Sequence, residues 1–87
     1  MTWKIEYHSD FRTRITDIDP SLRHRIRSFL HDEVAVLDDP RKIGANLGNY
    51  WRYWESGLRF ICDIQDQKRS ILVIEIGHLP KKSIAEP

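Results

Sequence analysis

Two arginines seven positions apart, Arg52 and Arg59, open the reading of this chain. They lie in Tyr50-Trp51-Arg52-Tyr53-Trp54-Glu55-Ser56-Gly57-Leu58-Arg59-Phe60-Ile61-Cys62-Asp63-Ile64. The stretch reads as two antiparallel strands joined by a tight turn at Glu55-Ser56-Gly57, where glycine supplies a positive φ. Side chains alternate along a strand, so it has two faces. Trp51, Tyr53, Leu58, Phe60, Cys62 and Ile64 form a core face, and Tyr50, Arg52, Trp54, Arg59, Ile61 and Asp63 form the other. If Trp54 pairs with Gly57, Arg52 sits directly across from Arg59, and like charges in that position destabilise a sheet. Such a pair among aromatics expects an anion, of which phosphate is the obvious one. The plainer alternatives are solvation, or pairing with Glu55, Asp63 or Glu75.

Elements on either side must hold this hairpin in place. The chain has 87 residues, enough for one domain with one modest core. Hydrophobic residues make up 40% and charged residues 31%, a globular balance without a disorder signature. Thr2 to His8 alternates as a half-buried strand with Trp3, Ile5 and Tyr7 on one side. Ser9-Asp10 caps a short helix carrying Phe11, Ile15 and Ile18 at helical spacing. Asp19-Pro20 starts a second helix, with the stripe Leu22, Ile26, Phe29, Leu30, Val34 and Leu37, which Asp38-Asp39-Pro40 ends. Residues 41–49 read as a loop with a short helical turn. After the hairpin and a turn at residues 66–69, Ser70 to Ile76 is apolar on both faces, as in a central strand. Glu75 predicts that 71, 73 and 75 face outward and 72, 74 and 76 face the core. The expected fold is a single α+β domain, 1–87. An N-terminal strand and two helices precede a three-strand antiparallel meander, and the helices pack on one sheet face. Arg52 and Arg59 occupy the face left open.

Net charge is only +1, so nucleic-acid binding has to be argued from distribution. Residues 41–59 hold Arg41, Lys42, Arg52 and Arg59 against Glu55 alone, while residues 32–39 hold four acids and no base. One surface is therefore basic. Cys62 is the single cysteine, on a core face, and reads as a buried structural thiol. There is no zinc spacing, no cofactor motif and no apolar run of membrane-spanning length, which points to a cytoplasmic protein without metal or cofactor.

Asp38-Asp39-Pro40-Arg41-Lys42-Ile43-Gly44, the aromatic hairpin and Val73-Ile74-Glu75-Ile76-Gly77-His78 together resemble the RelE/ParE superfamily of bacterial toxin–antitoxin pairs, and the RelE branch in particular. The resemblance extends over nearly the whole chain. It implies a ribosome-dependent mRNA endonuclease that needs no metal and is held inactive by a cognate antitoxin. The partners implied are thus antitoxin, ribosome and mRNA. In such cleavage the ribose 2′-OH attacks its own 3′-phosphate, which needs a base, an acid and cations around the phosphate. Arg59 falls on the family's strand arginine and Arg52 on a basic position of the strand before it. Tyr50 falls where some members have lysine, and Arg41 and Lys42 match a basic RNA-contacting loop. The family's arginine and tyrosine beyond the last strand are missing. Leu79 stands in the arginine's place, and no tyrosine follows Tyr53. Lys81 and Lys82 are left to supply the charge, and His78 to act as acid or base, since histidine titrates near neutrality. These departures keep two alternatives open: a non-cleaving toxin that only binds antitoxin, or a ParE-like gyrase inhibitor.

Overall fold

A computed structural model describes residues 2–78. The order is β1 (Lys4–Tyr7), α1 (Ser9–Ile15), α2 (Pro20–Ser28), β2 (Ala45–Leu47), β3 (Tyr50–Glu55), β4 (Leu58–Gln65) and β5 (Ser70–His78). One five-stranded sheet runs β1-β5-β4-β3-β2. β1 lies parallel to β5, and the other neighbours are antiparallel. The α+β class and the helices over one sheet face are as expected, but the meander has four strands rather than three. β2 falls in the expected loop, because Ala45-Asn46-Leu47 is too short, and too close to Gly44 and Gly48, to show alternation.

Each helix starts where a side chain can accept a free backbone N–H. Asp19 caps α2 through Ser21 N–H at 3.1 Å, and the Ser21 hydrogen bonds hold its carboxyl below the usual range. The cap of α1 falls one residue before the expected Ser9. His8 Nδ1 accepts from Asp10 N–H at 3.1 Å. α2 runs on through a π-helical turn, Phe29–Val34, in which Ala35 N–H reaches back to the Leu30 carbonyl at 2.9 Å. That spacing brings Leu30, Val34 and Ala35 into the core beside Ile26 and Phe29. Phe29 packs with its ring 6.1 Å from both Tyr53 and Phe60, which joins helix to sheet. Burying each of these rings contributes about 1.5–3 kcal/mol.

The β3–β4 connection is a two-residue turn. Ser56 and Gly57 have φ of 54° and 78°, the positive pair that a type I′ hairpin requires. Trp54 therefore pairs with Arg59 and Arg52 with Ile61, so the expected Arg52–Arg59 pairing is corrected by two residues. The sheet thereby avoids the like-charge opposition, while both arginines keep their common face. β5 brings a second correction. Ile61 pairs with Glu75 but Cys62 with Val73, which leaves Ile74 as a bulge. The extra residue reverses the parity. Ile71 and Val73 are buried with Ile76, whereas Glu75 still points outward.

Aromatic side chains fix the connection from α2 to the sheet. Tyr53 Oη donates to the Pro40 carbonyl at 2.7 Å and Trp51 Nε1 to the Ile43 carbonyl at 2.7 Å. Burial pushes the Tyr53 hydroxyl well above the usual tyrosine range, so it stays a donor. Gly44, at φ 85°, lies directly against this arrangement. A β-carbon there would collide with the Arg52 carbonyl and come within 2.7 Å of Trp51 Nε1. Gly44→Ala is expected to cost about 2–4 kcal/mol, from overpacking plus left-handed strain. At Gly48 a β-carbon meets nothing within 4 Å, so Gly48→Ala is expected to cost only about 1–2 kcal/mol. Urea midpoints of the two variants check this order.

Candidate active site

The open face of β3 and β4 presents what alternation leaves over once the core is filled. Tyr53, Leu58, Phe60 and Cys62 are buried beneath the helices, which turns Tyr50, Arg52, Trp54, Arg59 and Ile61 to the other side. Tyr50 and Trp54 are 45% and 40% exposed, and both arginines are half-buried. Among the described residues neither arginine lies within 4.0 Å of a carboxylate. Glu75 shares the Arg52–Ile61 row without forming an ion pair.

Each guanidinium has a distinct seat. Arg52 Cζ lies 5.1 Å from the Trp54 ring centroid, a cation–π contact. Its Nε is buried with no hydrogen-bond acceptor. Arg59 leans the other way, across its β5 partner Gly77. A β-carbon on Gly77 would stand 3.6 Å from Arg59 Nη2 and 3.8 Å from Cζ. Gly77 thus supplies the floor on which the guanidinium lies, a role that the sequence reading missed. Its signal was a glycine inside a strand, which often marks a close approach. Two half-buried cations without a carboxylate partner on one sheet face suit a doubly coordinated anion such as a phosphodiester.

The other expected site residues divide between this face and places away from it. Tyr50 joins the arginines on the open face. His78 does not. It pairs with Leu58, and its side chain lines a cleft on the helix side with Arg14, Asp17, Ile18 and Ile76. Arg41 is held by a bidentate bond to Asp66, with Nη1 at 3.1 Å and Nη2 at 2.9 Å. Asp39 lies 3.6 Å away as a second carboxylate. Lys42 is exposed on the 3₁₀ turn Pro40–Lys42. Leu79, Lys81 and Lys82 lie outside the described residues. Cys62 is fully buried, and burial pushes its thiol far above the usual range, as for an inert core residue.

Solved structures share this architecture. The RelBE2 toxin–antitoxin complex of Mycobacterium tuberculosis matches with a TM-score of 0.81 over 91% of this chain and 93% of that one, at 12% identity. The chain has the RelE fold. The isolated E. coli RelE toxin gives a TM-score of 0.73 over 94% of this chain and 89% of that one, at 12% identity. The archaeal RelE–RelB complex of Pyrococcus horikoshii gives 0.71 over 90% and 96%, at 16% identity. No protein-family model matches the chain. Among curated sequences, the CTP synthases of Thermococcus gammatolerans and Thermococcus kodakarensis are 38% identical over 68 residues. That stretch is 75% of this chain but only 13% of those enzymes. So small a share carries no argument for CTP synthesis here.

The Arg41–Asp66 pair ties the loop after α2 to the β4–β5 turn of this RelE fold. Its hydrogen bonds hold the Asp66 carboxyl below the usual aspartate range. A carboxylate depressed in the folded state stabilises above its unfolded pKa, and the effect fades as pH falls through the folded pKa. Asp66→Asn is therefore expected to lower the thermal midpoint at pH 7, with the gap to the parent closing as pH is taken below about 3.9, the ordinary aspartate value. Melting curves of both proteins across that range check it.

Proposed function

We propose that this protein is the toxin of a toxin–antitoxin pair and a ribosome-dependent endonuclease that cuts mRNA in the cytoplasm and halts translation. The observation that carries the reading is the pair Arg52 and Arg59. They stand without a carboxylate partner on the open sheet face of a fold shared with RelE toxins. RelE–RelB complexes among the fold's relatives support a cognate antitoxin as the second partner.

In this reading the two guanidiniums hold the non-bridging oxygens of the scissile phosphate. The 2′-OH loses its proton and attacks the adjacent 3′-phosphate. The 5′-oxygen leaves with a proton, which gives a 2′,3′-cyclic phosphate and a 5′-OH. Charge grows on the phosphoryl oxygens during attack, and fixed cations in a partly desolvated site stabilise it most at that point. Tyr50, Asp63 and Glu75 share the face and are the described side chains placed to move protons there. His78 projects on the helix side, so this mechanism gives it no proton to carry.

Purified protein added to a translation extract is expected to leave stalled, truncated mRNA. Arg59→Ala is expected to slow cleavage about 10-fold to 150-fold, the equivalent of losing a charge-assisted hydrogen bond worth about 1.5–3 kcal/mol. His78→Ala is expected to cut at close to the parent's rate. Arrested synthesis with intact mRNA would show a toxin that binds without cutting. Normal synthesis with intact mRNA would overturn the reading altogether.

A further inference from the structure

We infer that Trp54 is a base-stacking platform, and that the open face binds single-stranded RNA by clamping one base on this indole beside the arginines that hold its phosphate. The inference rests on the reading that the ligand is RNA, and it names a contact which that reading leaves unassigned. Trp54 is among the most apolar side chains on the open face, yet it stays 40% exposed. It gains nothing there from the core, which lies on the opposite side of β3. Its neighbours are what give it a use. Arg52 stacks against the ring at 5.1 Å, and Arg59 is the directly opposite residue on β4. The indole thus carries one cation on its ring and pairs across the strands with the residue that bears another, and neither cation lies within 4.0 Å of an acid among the described residues.

That geometry selects its partner. A phosphate alone would satisfy the arginines and leave the indole in water. A peptide of acidic side chains would do the same, since a carboxylate brings no aromatic face to stack on the ring. A nucleotide satisfies both, because its base and phosphate lie one sugar apart, and every base has a π-face. Tyr50, two rows along the same strand face and 45% exposed, extends the surface for a neighbouring nucleotide. Each stacked base contributes about 1–3 kcal/mol when the aromatic is replaced by alanine, about 5-fold to 150-fold in affinity.

The test is a fluorescence titration at low salt with a 2′-O-methyl hexanucleotide, which lacks the attacking hydroxyl and so is not cut. Inorganic polyphosphate and poly-glutamate serve as baseless comparators. The expected result is quenching of tryptophan emission by the oligonucleotide. Trp54→Phe should lose most of that quenching, because Trp3 is buried and Trp51 lies on the core side. It should nonetheless keep an affinity close to the parent's, measured by competition with a labelled oligonucleotide. Trp54→Ala should weaken oligonucleotide binding about 5-fold or more and polyphosphate binding hardly at all. Full quenching in Trp54→Phe, or no oligonucleotide binding in the parent, would overturn the inference. So would an equal loss for polyphosphate in Trp54→Ala, since Trp54 would then act only by seating Arg52. Poly-glutamate binding as tight and as dependent on Trp54 as the oligonucleotide would give the face to a protein partner instead. Cleavage in the translation extract is scored separately. A protein that stacks RNA without cutting retains this inference and loses the endonuclease, and one that cuts without quenching does the reverse.

Discussion

Strand alternation, locked by a two-residue turn, is the constraint on which the rest of this molecule depends. Ser56 and Gly57 fix which residues of β3 and β4 face each other. Once Tyr53, Leu58, Phe60 and Cys62 are committed to the core, Arg52, Trp54 and Arg59 have only one side left to occupy. A slip of one residue would exchange the two sets, burying two guanidiniums and exposing the main aromatic contacts of Phe29. Core packing and the cationic face are therefore enforced by one register. No separate device is needed to bring the arginines together.

Within that frame the two guanidiniums are made different. Arg52 rests on an aromatic ring, with one nitrogen shut away from any acceptor. Arg59 lies over a glycine in the neighbouring strand. Arg41, by contrast, is neutralised by its forked pair with Asp66. Arg69 Cζ lies 4.6 Å from the centroid of the Trp3 ring at the other end of the sheet. Arg41 thus fastens two segments together, whereas Arg52 and Arg59 keep unpaired charge on the open face.

The sequence was most legible where one signal governed. The period of two in residues 50–64 placed every member of the open face correctly, because a half-buried strand cannot hide its parity. The Asp19-Pro20 helix start was equally plain. What escaped depended on pairing between distant segments. The hairpin register turned on whether Glu55 belonged to the strand or to the turn, and that is settled by the positive φ of Ser56. The parity of Ile71 and Val73 is the reverse of the expected one because an apolar run offers no alternation, and Ile74 adds a bulge that no local pattern announces. The same lack of pattern concealed that His78 and Arg59 project to opposite sides. β2 exists because β3 offers it an edge, and it would have little reason to form alone.

The parallel pairing of the outermost strand has a consequence for how the chain acquires its shape during synthesis. Lys4 pairs with Ser70 and Tyr7 with Val73, so the first strand made waits for the last before it finds a hydrogen-bonding neighbour in the sheet. Contacts so far apart in sequence are slow to form, because the chain between them must be ordered first. Gly77, the seat of Arg59, also belongs to that last strand. On a ribosome that adds about 5–20 residues per second, Gly77 would follow the end of the β3–β4 hairpin at Gln65 by roughly 0.6–2.4 s. The seat of Arg59 is thus completed only after the hairpin that carries the arginine has been made.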